Sequence, residues 1–161
     1  MKNLRNTILV FLFFILTFGV FGQSRFHKNA IYGEGLGPGL LYSINYDWRF
    51  KRDYTGHGFR IGLGSIRNSN NNLSISVPVS YNFLFSNNFQ TQYEIGLGLS
   101  FKYGHFPFAE FADKMVIGHG IIGIRYRPLR NGLFLKLAWT PLFDDSRIRY
   151  VHGGLGVGFS F

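Results

Sequence analysis

The sequence predicts an all-β protein: an eight-stranded antiparallel up-and-down transmembrane β-barrel preceded by a signal peptide. Three observations lead to this prediction: a short apolar run at the start, long stretches in which apolar and polar residues alternate strictly, and a marked difference between the two faces of those stretches. The composition agrees, because 21 glycines and 19 phenylalanines among 161 residues disfavour helices and favour pleated surfaces. The chain has no cysteine, which excludes a disulfide scaffold and thiolate chemistry.

The first 22 residues have the pattern of an export signal. Two basic residues precede an apolar run of 14 residues, Ile8–Phe21. This run is shorter than the roughly 20 residues that a transmembrane helix needs. We therefore predict a signal peptide over 1–22, with cleavage after Gly22, and a single outer-membrane β-barrel domain over 23–161. An uncleaved inner-membrane anchor is the alternative.

The remaining chain is basic. Without the two basic residues of the signal segment, 15 basic and 8 acidic residues remain, a net charge of +7. An exported chain rarely meets nucleic acid, so outer-membrane lipid and lipopolysaccharide are the expected partners. The sequence contains no run of five like charges, so a disordered basic arm is not expected.

The clearest strand pattern covers residues 42–50, where five aromatic or aliphatic residues alternate with four polar ones. Successive side chains of a strand point to opposite faces, whereas a helix would scatter these residues around its axis. The same period of two recurs along the chain. The predicted strands are 29–36, 40–50, 57–66, 73–84, 90–102, 115–126, 132–140 and 153–161.

The two faces of these strands favour a membrane protein over a soluble sandwich or a lipocalin-like binder. One face is large, aromatic and nearly uninterrupted, and the other combines glycine and serine with single charges. Small residues and charges can fill the narrow lumen of an eight-stranded barrel while the apolar face meets lipid. Aromatic residues near the strand ends would form an interfacial girdle. These are Trp48, Phe50, Phe83, Phe85, Phe101, Tyr126 and Trp139.

The charged residues of the polar face are expected to lie inside the lumen. They are Asp47, Arg49, Arg60, Glu94, Arg125 and Lys136. Because an unpaired buried charge is costly, we expect them to pair and to close the lumen, with a conduction pathway as the alternative. Glycines on the same face would let a narrow barrel curve. Pro78 lies inside a predicted strand, where a bulge would accommodate its missing N–H.

The connections set an expected orientation, with both termini in the periplasm. The external loops are then 37–39, 67–72, 103–114 and 141–152, and the periplasmic turns are 51–56, 85–89 and 127–131. Two of the external loops are the longest connections, as is usual for outer-membrane barrels, although the first external loop is very short.

Four stretches resemble a family of small outer-membrane β-barrel proteins of Bacteroidetes-type bacteria. They are EGLGPGLLYSINYDWRF (34–50), SVPVSYNFLF (76–85), GHGIIGIRYRP (118–128) and GLFLKLAWTPLF (132–143). The terminal LGVGFSF, with Phe161 last, is similar to the C-terminal signature that barrel-assembly machinery reads. The resemblance implies an outer-membrane location and that machinery as a partner, and it implies no activity, because such members generally lack an assigned role.

No motif in the sequence predicts a catalytic, cofactor-binding or metal-binding residue. GEGLGPG (33–39) lacks the GxGxxG spacing and precedes a strand, and the five histidines show no HxH, HxxxH or HExxH spacing. A lipid A-modifying hydrolase would need a nucleophile and a base, but no His-x-Ser arrangement occurs. The external candidates for such chemistry are His105, Glu110, Asp113, Asp144, Asp145, Ser146 and His152.

The predicted function is therefore a structural or surface-interaction role for a barrel with a plugged lumen. Loops 103–114 and 141–152 would contact lipopolysaccharide or an extracellular partner, with Lys114, Arg147 and Arg149 supplying positive charge. A lipid A-modifying hydrolase and a narrow solute channel are the alternatives. The face assignment predicts that Val79→Lys destabilises strongly, and that Ser80→Lys is milder if the lumen can relax.

Overall fold

The computed structural model describes most of the predicted barrel domain. The described residues are 27–51, 53, 55–67, 73–86, 88, 90–103, 116–127, 132–143, 148–149 and 152–161. The predicted signal peptide and cleavage site lie outside these residues, as do almost all of 103–114 and part of 141–152. No helix within the described ranges is long and apolar enough to cross a bilayer.

Eight long strands form the body of the molecule, as the sequence predicts. Two further strands of two residues each form a short hairpin between the seventh and eighth long strands. The long strands are β1 (Asn29–Leu36), β2 (Tyr42–Arg49), β3 (Gly56–Arg67), β4 (Leu73–Phe85), β5 (Thr91–Tyr103), β6 (Val116–Tyr126), β7 (Leu133–Trp139) and β10 (Gly153–Ser160). The short ones are β8 (Leu142–Phe143) and β9 (Ile148–Arg149).

The eight long strands close into a barrel in which every neighbouring pair is antiparallel. Consecutive long strands pair with one another, β5 pairs with β6, and β1 pairs with β10 to complete the ring. We call the end that contains residues 27–28 and Phe161 the terminus end, and the opposite end the loop end. Closure satisfies the ladder groups of every strand, which is the condition for crossing a bilayer with strands.

The outer face of the barrel is an apolar belt between two aromatic girdles. Aliphatic side chains occupy the middle of the strands and are widely exposed, among them Ile44, Ile61, Leu97, Leu137 and Leu155. The girdle near the terminus end contains Trp48, Phe50, Phe59, Tyr81, Phe85, Tyr93, Tyr126 and Phe159. Near the loop end lie Tyr42, Phe101, Tyr103, Trp139 and Phe143. This arrangement matches the lipid-facing surface of a transmembrane barrel and confirms the predicted faces.

Glycines make room for the larger inward side chains. A Cβ atom on Gly158 would overlap the Cβ of Tyr32 and the carbonyl oxygen of Ile31 on the neighbouring strand. Five glycines of the described strands lie on the outer face instead of facing the lumen: Gly33, Gly35, Gly118, Gly120 and Gly153. The Phe143 ring covers Gly118 there, as an aromatic ring often does for a strand glycine.

Gly158→Ala is expected to destabilise the barrel by about 1–3 kcal/mol, because the added methyl group forces adjacent backbone apart. Gly33→Ala is the matched control, since nothing lies within 4 Å of a Cβ at that site. Urea unfolding of both variants in lipid vesicles measures the difference. Equal stability of the two variants would contradict the described packing between β1 and β10.

Two predicted details of the strands are wrong. Pro78 causes no bulge, because pairs on both sides of it keep one register with β3 and β5. The ladder with β3 is instead interrupted at Pro78, since proline has no N–H to donate. The predicted external loop 141–152 contains the β8–β9 hairpin, and β8 continues the line of β7 along β6.

Candidate functional site

The barrel lumen contains the densest set of polar groups in the described residues. The sequence places charges at alternate positions of β2, β3, β5, β6 and β7, and closure brings them to one axis. Three carboxylates and five cations of the described strands are buried there: Glu34, Asp47, Glu94, Arg49, Arg60, Lys102, Arg125 and Lys136. The six predicted lumen charges are among these eight, so their inward orientation is confirmed.

Arg125 is the hub of this charge network. Its Nε and Nη2 lie 2.9 Å from the two oxygens of Glu94, which is the bidentate geometry of a strong pair. The same Nη2 lies 2.5 Å from Oδ2 of Asp47. Asp47 also contacts Arg49 at 2.8 Å, and Lys136 Nζ lies 3.0 Å from Glu94. The predicted pairing of the lumen charges is therefore confirmed.

Glu34 and Arg60 form a second ion pair toward the loop end. Arg60 also donates to Oδ1 of Asn45, with Nη2 at 2.8 Å, and Lys136 Nζ lies 3.8 Å from Glu34. Sequence analysis did not assign Glu34 to the lumen, because Glu34 shares its parity with the apolar Tyr32 and Leu36. The signal that could have placed it there is its spacing of two residues from Tyr32, which puts both side chains on one face of the strand.

An aromatic pair also fills the lumen. Tyr32 and Phe134 are buried and meet edge to face, with ring centroids 5.4 Å apart. The Arg60 guanidinium carbon lies 5.3 Å and Lys136 Nζ 5.4 Å from the centroid of the Tyr32 ring. Cations at this distance from a ring face are attracted by its quadrupole, so the rings and charges pack as one unit.

Residues 37–40 fold back into the loop end of the lumen, and we call this segment the inner plug. Gly37–Gly39 form one 3-10 turn, and all four residues are buried. Leu36 and Leu40, which flank the turn, have positive φ values of 59° and 78°. This conformation is uncommon for leucine, so surrounding contacts must hold it.

Hydrogen bonds from β4, from β5 and from the residue before β10 supply those contacts. Ser76 Oγ donates to the Gly39 carbonyl at 2.8 Å, and Ser100 Oγ donates to the Pro38 carbonyl at 2.7 Å. The His152 ring nitrogen Nε2 lies 2.9 Å from the Gly37 carbonyl. The connection that was predicted as a short external loop is thus the inner plug, which closes the loop end of the lumen.

A serine–histidine pair lies beneath the inner plug. Ser80 Oγ is 2.8 Å from Nε2 of His119, and Ser100 Oγ is 3.0 Å from its Nδ1. Because Ser100 donates to Pro38, it accepts from Nδ1–H, and Ser80 donates to Nε2. The exposed fraction of the His119 side chain is 0%, and no carboxylate orients it within the described residues. The pair is therefore buried and bonded to the inner plug through Ser100.

The external residues considered for lipid A chemistry lie outside the described residues, apart from His152. His152 contacts the inner plug through Nε2 and is thereby engaged in closing the lumen. The described part of the chain contains no group of three or more His, Cys, Asp or Glu side chains that could hold a metal ion.

Comparison with known proteins shows the fold. No protein-family model matches the chain, and no curated protein matches it. The N-terminal β-barrel domain of Pseudomonas aeruginosa OprF is similar, with a TM-score of 0.62 and 14% identity over 84% of this chain and 99% of that one. Yersinia pestis outer membrane protein Ail, solved in a phospholipid bilayer nanodisc, has a TM-score of 0.54 and 12% identity over the same shares.

The chain is thus an all-β, eight-stranded transmembrane β-barrel of the type found in small outer-membrane proteins. The expected resemblance to outer-membrane barrels is supported at the level of fold. The link to Bacteroidetes-type bacteria stays a prediction.

Proposed function

We propose that this protein is an outer-membrane β-barrel with a closed lumen, whose role is structural or surface-interacting and not catalytic. The observation that carries the proposal is the doubly closed lumen. Paired charges and two aromatic rings fill its middle, and the inner plug fills its loop end. The similarity of fold to OprF and Ail supports the outer membrane as its location.

The proposal includes the expected orientation, with the termini in the periplasm and the loop end outside the cell. Loops 103–114 and 141–152 would then meet lipopolysaccharide or an extracellular partner. The signal peptide over 1–22 and recognition of the strand ending at Phe161 by barrel-assembly machinery belong to the same proposal. They rest on the sequence.

The closed lumen argues against a solute channel. Ions that crossed the barrel would have to displace the Arg125 network and the inner plug, and breaking buried ion pairs costs several kcal/mol. We expect planar bilayers containing the purified protein to show no stable conductance steps. A porin recorded under the same conditions is the positive control. Large, reproducible steps from the purified barrel would show that the lumen opens.

A lipid A-modifying hydrolase is the remaining alternative. The Ser80–His119 pair has the residue types for acyl transfer but lies beneath the inner plug. Mass spectra of lipid A from cells with and without the protein are expected to be identical. Loss or gain of an acyl chain that depends on the protein would contradict the non-catalytic proposal and would direct attention to the external residues.

A further inference from the structure

Among the described residues, the buried cation at the terminus end of the lumen takes part in no ion pair. Each lumen carboxylate contacts two cations: Glu34 contacts Arg60 and Lys136, Asp47 contacts Arg49 and Arg125, and Glu94 contacts Arg125 and Lys136. Arg127, at the terminus end of β6, takes part in no ion pair with a carboxylate of the described residues.

Arg127 is nevertheless well buried. Its exposed fraction is 5%, and its Nε has no hydrogen-bond partner in the described part of the chain. Its backbone N–H donates to the Gln90 carbonyl at 2.7 Å, which fixes the residue at the barrel rim. Arg127 lies two residues after Arg125, so its side chain points to the same, inward face. There it lies near Arg125 and Arg49.

The pKa shifts of Arg127 and His27 show that Arg127 lies in a positively charged environment. Burial, followed by repulsion from Arg125 and Arg49, lowers the pKa of Arg127 to about 10, so the guanidinium remains charged at neutral pH. His27 lies close enough to feel that charge: burial and Arg127 both lower the His27 pKa. Its exposed fraction is 7%, and its Nε2 has no hydrogen-bond partner in the described ranges.

The sequence around this mouth is also basic. Among the described residues beyond the strand ends on this side, Lys28, Lys51 and Arg127 are basic and Asp53 is the only acidic one. The same end carries the larger aromatic girdle, which places the mouth at the level of lipid headgroups.

We propose that the terminus-end mouth of the lumen binds a phosphate-bearing anion, held by Arg127 with His27 and Arg49 beside it. A buried guanidinium without a counterion is unfavourable, and its planar fork fits two phosphate oxygens. The anion arrives either as a free phosphate or as the headgroup of an anionic phospholipid. The site lies at the end opposite the loops proposed for surface contacts, and it depends on none of them.

The test measures thermal unfolding of the folded barrel in phosphate-free dodecyl maltoside micelles. One arm adds inorganic phosphate, and the other adds phosphatidylglycerol, with diacylglycerol as the lipid that lacks phosphate. A ligand that binds the folded state raises the unfolding midpoint in a saturable way. If inorganic phosphate raises the midpoint in a saturable way, a free anion is sufficient as the ligand. If only phosphatidylglycerol does so, the ligand is a lipid headgroup.

Two variants decide whether the effect belongs to Arg127. Arg127→Gln is expected to weaken the apparent affinity about tenfold or more, since it removes charge-assisted hydrogen bonds. Lys51→Gln, which removes an exposed cation at the same end, is expected to weaken it less than about threefold. Arg127→Lys keeps the charge without the fork and is expected to lie between them. Gel mobility before and after boiling checks that each variant is folded.

The proposal is overturned by either of two results. One is the absence of a saturable response in both arms. The other is an equal loss of affinity in Lys51→Gln and Arg127→Gln, which would reduce the effect to general attraction by a basic rim.

Discussion

Replacing Arg125 with methionine is expected to lower the free energy of unfolding by about 3–5 kcal/mol, because the change removes one of the two cations that each of two buried carboxylates contacts. Arg125 contacts both Asp47 and Glu94, so one substitution breaks three hydrogen bonds. Glu94 keeps Lys136 at 3.0 Å, and Asp47 keeps Arg49 at 2.8 Å. The measurement is urea unfolding in lipid vesicles, followed by tryptophan fluorescence and gel mobility.

Two further variants make this result interpretable. Lys51→Met removes a cation and adds the same side chain at an exposed position, and is expected to change stability by less than about 1 kcal/mol. Adding Asp47→Asn and Glu94→Gln to Arg125→Met is expected to lower stability further, because it takes the paired carboxylates away from the buried cations Arg49 and Lys136. A cost for Arg125→Met no greater than that of Lys51→Met would show that the network does not form.

Val79→Lys is expected to destabilise the barrel by about 2–4 kcal/mol, since it introduces a charge near the middle of the lipid-facing belt. Val79 lies at the centre of β4 on the outer face, between Ile61 of β3 and Leu99 of β5. Thr91→Lys introduces the same charge at the terminus end of β5, where the cost falls to about 0–1 kcal/mol. Vesicle unfolding experiments compare the two.

Equal tolerance of both lysines would mean that the belt does not face hydrocarbon. The structure also changes the companion variant expected from sequence. Ser80→Lys was expected to be mild if the lumen could relax, but Ser80 is buried and bonded to His119 at 2.8 Å. A lysine there would be a buried unpaired charge. Ser80→Ala is the better inward control, with an expected cost of about 1 kcal/mol for one lost hydrogen bond.

The strands and their faces were predictable from the sequence, because a period of two is local information. The residues 42–50 show this best: every side chain assigned inward or outward in β2 lies as expected. Pairing of the lumen charges was predictable for a different reason. A narrow closed barrel brings inward charges such as Asp47, Arg125 and Glu94 close together, and burial makes their pairing favourable.

The inner plug and the cation at the terminus end were not predictable in the same way. Residues 37–40 read as an ordinary turn, and their inward fold depends on hydroxyl groups of β4 and β5 that are distant in sequence. Arg127 followed a predicted strand and was assigned to a turn. That Arg127 forms no ion pair among the described residues becomes visible only when each lumen carboxylate has been matched to the cations that it contacts. The outward glycines of β1 and β6 likewise depend on which neighbour covers them.

The inner plug requires contacts between residues near the two ends of the barrel sequence, so it depends on the order in which the barrel assembles. It lies in the first hairpin to emerge, yet one of its hydrogen bonds comes from His152, just before the last strand. That bond spans 115 positions of sequence, so the plug has its full set of hydrogen bonds only when the chain has folded as far as the last strand. Slow hydrogen exchange at the amide of Leu40, which bonds to Gly37, would therefore mark fully assembled molecules and distinguish them from open intermediates.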